Sequence, residues 1–124
     1  MNMIATTAAP AAIGPYSQGV IAGGLVFTSG QIPVDPSTGA VAGDTITTQA
    51  EQSCKNVLAV LEAAGAGADK VVKTTCFLAD MADFATFNEI YASYFISKPA
   101  RSCVAVKTLP KGVLCEIEAI AERC

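Results

Sequence analysis

The chain has 124 residues, of which 52% are apolar and only 15% charged, against about 25% charged in an ordinary soluble domain. That length makes residues 1–124 a single domain, and so few charges leave surface that another copy is expected to cover. The net charge of −3 argues against nucleic-acid binding, which normally leaves a basic footprint, and no run approaches the roughly 20 apolar residues of a membrane span.

Pro10 to Pro15 is a stiff lead-in that delivers Tyr16 to the start of a strand. Ser17–Ile21 and Leu25–Ser29 flank Ala22-Gly23-Gly24, and Gly-Gly between two strand-like runs signals a hairpin. The second of these strands ends in Thr28-Ser29-Gly30-Gln31-Ile32-Pro33. There Gly30 permits close backbone approach by a ligand and Pro33 stops the strand. A helix is expected over Gln49–Ala64, with Thr48 and Glu51 as a capping box. Its apolar stripe runs through Ala50, Cys54, Val57, Leu58, Leu61 and Ala64. Gly65 and Gly67 end it.

Val71–Leu78 is rich in β-branched residues and reads as a strand that pairs in parallel with an earlier one, the first helix supplying the crossover. A second helix is expected from about Asp83 to Phe95, capped by Asp83, with Phe84, Phe87, Tyr91, Tyr94 and Phe95 inward and Asn88 on or near that stripe. Pro99 closes the connection into an alternating run, Ala100 to Val106. Ser102, Val104 and Val106 share one face of it; Arg101, Cys103, Ala105 and Lys107 share the other.

A turn at Pro110 and Gly112 leads to the last strand. There Val113, Cys115, Ile117, Ala119 and Ala121 form an apolar face and Leu114, Glu116, Glu118 and Ile120 the opposite one. The two runs are expected to pair as a hairpin, apolar faces together. That would set Arg101, Cys103, Glu116 and Glu118 on one surface, a candidate small-molecule site. The order ββαβαββ gives two helices packed on one face of a mixed sheet. The uncovered face, with Leu114 and Ile120, would then meet another subunit beside the polar cluster.

Five cysteines, an odd number with no CxxC, and the absence of histidine argue against a disulfide framework and a mixed metal site. A reducing, cytoplasmic location is the expectation, the first residues reading as neither a secretory signal, for want of a basic segment, nor a transit peptide, for want of arginines. Without a histidine to activate it, Cys103 reads as a passive wall rather than a nucleophile.

Pro99-Ala100-Arg101-Ser102-Cys103-Val104 with Glu116-Ile117-Glu118-Ala119-Ile120-Ala121 resembles the signature of the Rid family of reactive intermediate deaminases, also called the YjgF family. The likeness continues through Ala12–Gly19, Thr28–Pro33, Val72–Thr75 and the segment from Asp83 to Tyr91. It therefore covers nearly the whole chain and is nearest the RidA-type branch that keeps the arginine. The resemblance implies a chorismate-mutase-like α+β fold, assembled as a homotrimer with three sites between subunits. It also implies hydrolysis of 2-aminoacrylate-derived and related imino acids to 2-keto acids and ammonia, with no metal or organic cofactor. By matching position, Arg101 would anchor the substrate carboxylate and Glu116 would position or activate water. Tyr16, Ser29, Gly30, Asn88 and Cys103 would line the pocket, and Glu118 reads as structural.

Two departures from the family pattern are the short approach Phe95-Ile96-Ser97-Lys98, which bears on cleft shape and substrate size, and Cys115 in place of a branched aliphatic. Competing readings are a module that holds a small carboxylate without turnover and, with less support from an acidic chain, a translation inhibitor or ribonuclease.

Overall fold

Six strands and two helices make up the protein in a computed structural model that describes residues 1–123; Cys124 lies outside the described residues. The strands are β1 (Asn2–Ile4), β2 (Gly19–Ala22), β3 (Leu25–Thr28), β4 (Val71–Leu78), β5 (Ala100–Ala105) and β6 (Cys115–Glu122); the helices are α1 (Ile46–Ala63) and α2 (Phe84–Tyr94). They form one mixed sheet in the order β1-β2-β3-β6-β4-β5, with both helices on one face. Strand β1 has no counterpart in the sequence reading; it adds an edge strand to β2.

The β2–β3 hairpin turns through Gly23 and Gly24, with Gly23 at φ +61°. Helix α1 starts earlier than its apolar stripe indicates. Its cap is Thr45, whose hydroxyl accepts the Thr48 N–H at 3.3 Å, so the Thr48–Glu51 capping box does not form. The far end is as expected: Gly65, at φ +80°, lets the Ala66 and Gly65 N–H groups return to the Leu61 and Glu62 carbonyls, closing a Schellman motif. Cys54, Val57, Val60 and Leu61 are fully buried against the sheet. Before α2, Asp80 caps a short 3₁₀ turn at Met81–Asp83, and Asp83 itself makes no side-chain cap.

The largest correction concerns the last two strands, which do not pair. Strand β4 lies between them, antiparallel to β6 and parallel to β5. The crossover that parallel pairing requires is α2, linking β4 to β5, and not α1. The link from β5 to β6 passes over the end of β4: the Val106 N–H donates to Leu78 and the Ala79 N–H to Leu114.

Register then decides the faces. Arg101 lies beside Thr74 and Cys103 beside Cys76, two residues fully buried under the helices. Glu116 lies beside Phe77 and Glu118 beside Thr75, on the uncovered face. Arg101 and Cys103 therefore do not share a surface with Glu116 and Glu118. Val104, expected on the buried apolar face, is 46% exposed on the open one. In β6 the alternation holds, with Cys115, Ile117, Ala119 and Ala121 buried. Cys54, Cys76, Cys103 and Cys115 are free thiols. No helix among the described residues is long and apolar enough to cross a membrane.

Candidate active site

The candidate residues fall into two groups on opposite sides of the sheet. The first surrounds Arg101 at the β5 edge. Phe84, Asn88 and Tyr91 sit at helical spacing on one face of α2 and all three meet the guanidinium. Its Cζ lies 4.8 Å from the Tyr91 ring centre and 5.5 Å from that of Phe84, and Nη1 donates to the Asn88 Oδ1 at 2.6 Å. Rings and amide fix the fork without neutralising it. Tyr91 is held in turn, its hydroxyl 2.6 Å from that of Thr74 in the core.

Arg101, Asn88, Tyr91, Phe95, Lys98 and Pro99 line a cavity of about 560 Å³, within the roughly 300–1,000 Å³ of small-molecule sites. Cys103 stands two residues further along the same face of β5, half-buried. Burial pushes its thiol up, Arg101 opposing, so at neutral pH it is no thiolate and forms a wall.

The second group gathers where β3 ends. Ser29 donates its hydroxyl to the Ser17 carbonyl at 2.5 Å and its N–H to the Gln18 carbonyl. Its hydroxyl thus ties down the arm that carries Tyr16. The arm has a second clamp: the buried Gln18 side chain accepts from the Thr6 N–H and donates to the Thr6, Ala9 and Pro10 carbonyls. Tyr16, 52% exposed, lines a cavity of about 280 Å³ with Ile13, Gly30, Ile32, Val34 and Lys111.

Glu116 lies against Gly30. A Cβ on Gly30 would sit 2.9 Å from the Glu116 Cδ and closer still to Oε2, so only glycine leaves room for the carboxylate. Burial pushes the Glu116 carboxyl above its ordinary value, and the neighbouring Glu118 adds to the shift.

The structure thus brings Arg101, Asn88 and Cys103 together, and Tyr16, Ser29, Gly30 and Glu116 together, but does not join the sets within one copy. By sequence Phe84 and Tyr91 carry only a core role; their spacing around Asn88 is the signal that places them at the guanidinium. Gln18 is absent from the expected pocket lining, although it lies in the Ala12–Gly19 segment that carries the family likeness. Lys98 and Lys111 are the two non-glycine residues with positive φ, at +51° and +58°, among the described residues. Left-handed backbone costs such residues about 1–2 kcal/mol, and each of these two lines one of the cavities.

Comparison with known proteins adds an independent line. Residues 6–123 match the family model described as Endoribonuclease L-PSP. A Salmonella typhimurium protein named 2-iminobutanoate/2-iminopropanoate deaminase is 59% identical over 124 residues, covering 97% of this chain and 96% of its own. A Lactococcus lactis protein named as a regulator, AldR, is 55% identical over 98% of each chain. Among solved structures, Escherichia coli TdcF with bound serine superposes with a TM-score of 0.95 at 50% identity over the whole of both chains.

Proposed function

The chain belongs to the Endoribonuclease L-PSP family, the YjgF/RidA family, with its chorismate-mutase-like fold, and we propose that it hydrolyses small 2-imino acids to 2-keto acids and ammonia. The reading is carried by the Arg101 guanidinium, held by an amide oxygen and two ring faces. It is a positive fork fixed in a cavity with its charge left for a ligand. A carboxylate accepts a bidentate pair from such a fork, which fixes the adjacent C=N carbon.

Glu116, on the uncovered face, cannot reach that carbon from the same copy. The site is accordingly shared, Arg101, Asn88 and Cys103 from one copy facing Tyr16, Ser29, Gly30 and Glu116 from the next. In a homotrimer this makes three sites. The exposed Phe27 and Val104 on the uncovered face support such packing.

The chemistry then needs one acid–base group and no cofactor. Water adds to the C=N carbon while Glu116 accepts its proton, and the imine nitrogen takes up a proton from solvent to give a carbinolamine. Glu116 returns its proton to the amine as the C–N bond breaks and the carbinol hydroxyl releases its proton to solvent, leaving the 2-keto acid and ammonia. The carboxyl's raised pKa brings it nearer to both roles. Asn88 aims the guanidinium and is a positioning residue. A reducing cytoplasm suits the free thiols. An RNA substrate is disfavoured by the net charge of −3 and the absence of histidine.

The test generates 2-aminoacrylate in situ with a serine/threonine dehydratase and follows imine decay with added protein and with Arg101→Ala. Faster decay that the substitution abolishes supports the deaminase. Carboxylate binding with decay unchanged would instead favour a ligand-binding module.

A further inference from the structure

The Arg101 cavity has a second cation in its wall, Lys98, which the proposed hydrolysis of a monocarboxylic imino acid leaves unused. Its position is set by the backbone. Lys98 has φ +51° and is followed by Pro99, although the residue before a proline ordinarily takes an extended conformation.

The turn that imposes this is tied at two points. The Lys98 N–H donates to the Phe95 carbonyl at 3.3 Å, and the Ser97 hydroxyl donates to the Val71 carbonyl at 2.7 Å. Strain of this kind, held by surrounding structure, points to a functional constraint on where the side chain leaves the chain. Three Cα–Cα steps lead from Lys98 to Arg101, at most about 11 Å. Two flexible cationic side chains starting within that span can meet two carboxylates that are two or three carbons apart.

We propose that Lys98 is a second anion anchor and that the chain accepts imino acids with an acidic side chain, of the 2-iminosuccinate and 2-iminoglutarate type. Arg101 takes the carboxylate next to the C=N carbon, and Lys98 takes the distal one. This rests on the imine-hydrolase reading and adds its substrate class. The cavity of about 560 Å³ accommodates the longer acids, with Phe95 and Ile96 contributing apolar side chains to its wall.

The test compares kcat/KM for 2-iminoglutarate and 2-iminopropanoate, made in situ by amino-acid oxidases from glutamate and alanine. The wild type is set beside Lys98→Asn, which tolerates a left-handed backbone and removes the charge, and Lys98→Arg, which keeps it. The dicarboxylate-to-monocarboxylate ratio is expected to fall on the order of tenfold in Lys98→Asn and to persist in Lys98→Arg. A ratio unchanged in Lys98→Asn overturns the proposal. So does an equal fall in Lys55→Met, which removes the same charge from α1, away from the cavity. Titration calorimetry with 2-oxoglutarate and 2-oxobutanoate reads the same preference without turnover. Failure of all imine hydrolysis would therefore refute the parent reading, while binding would still decide on the anchor.

Discussion

If the site is shared, two inactive variants should repair each other. Arg101 pairs with Thr74 and Glu116 with Phe77 across β4. Two strand spacings and three residues of rise put their Cα atoms about 14 Å apart, with side chains on opposite faces, so no rotamer change lets one copy close the site. Arg101→Ala removes the fork, whose two hydrogen bonds to a carboxylate are worth about 3 kcal/mol or more together, at least on the order of a hundredfold in kcat/KM. It also loses two ring contacts of about 0.5–1 kcal/mol each in stability.

Glu116→Gln removes the acid–base group and leaves Arg101 in place. In a closed ring assembled at random from equal amounts of the two variants, about one quarter of interfaces would pair an intact Arg101 with an intact Glu116. Co-refolding should therefore restore roughly a quarter of wild-type turnover from two preparations that are each nearly inactive. Hybrid oligomers seen by native mass spectrometry without recovered activity would refute the shared site. So would a monomer by light scattering that retains full turnover.

Two further outcomes follow from the Glu116 side. Gly30→Ala should lower kcat/KM by about tenfold to a hundredfold, because the new Cβ displaces the carboxylate and small misplacements are amplified in rate. The φ of Gly30 is not left-handed, so circular dichroism should show the fold intact; unchanged kinetics would contradict the contact. In the pH profile, kcat/KM should rise with pH through a midpoint above the ordinary carboxylate value of about 4.3, since burial and then Glu118 raise the Glu116 carboxyl. Glu118→Gln should move that midpoint down. The sign for stability is opposite: folded Glu116 keeps its proton to higher pH than the unfolded chain does. Its contribution is therefore lost as pH rises from the unfolded value through the folded one, and Glu116→Gln should flatten thermal stability over that window.

Elements with strong local signals were legible in the sequence. Gly23-Gly24 marked the β2–β3 hairpin, the Cys54–Val57–Leu61 stripe marked α1, and Gly65 marked its end. What failed was adjacency. Alternation tells which residues of a strand share a face but names neither the neighbouring strand nor the covered face. Strand β5 is ambiguous in this respect, with Arg101, Cys103 and Ala105 on one side and Ser102 and Val104 on the other, and neither set clearly more apolar. Polarity alone sends the apolar valine inward and the arginine outward. As an edge strand only partly covered by α2, β5 instead turns Arg101 inward, where the ring faces receive its side chain and a cavity receives its charge. The nine residues between Ala105 and Cys115 were a usable clue, since they exceed the two to five of a usual hairpin loop and allow the chain to pass over β4.

The separation of Arg101 from Glu116 also explains how each keeps the property the chemistry needs. On one face of one chain they would form an ion pair, lowering the Glu116 pKa and filling the fork before substrate arrived. Across the sheet, the influences that raise Glu116 are burial and Glu118, with no contribution from Arg101, and the guanidinium rests on uncharged groups. On the shared-site reading, docking brings the fork and the carboxylate to opposite sides of a bound imino acid, whose own carboxylate then takes the fork. The substrate occupies the place an ion pair would otherwise hold, so Glu116 remains free to move protons at the C=N carbon.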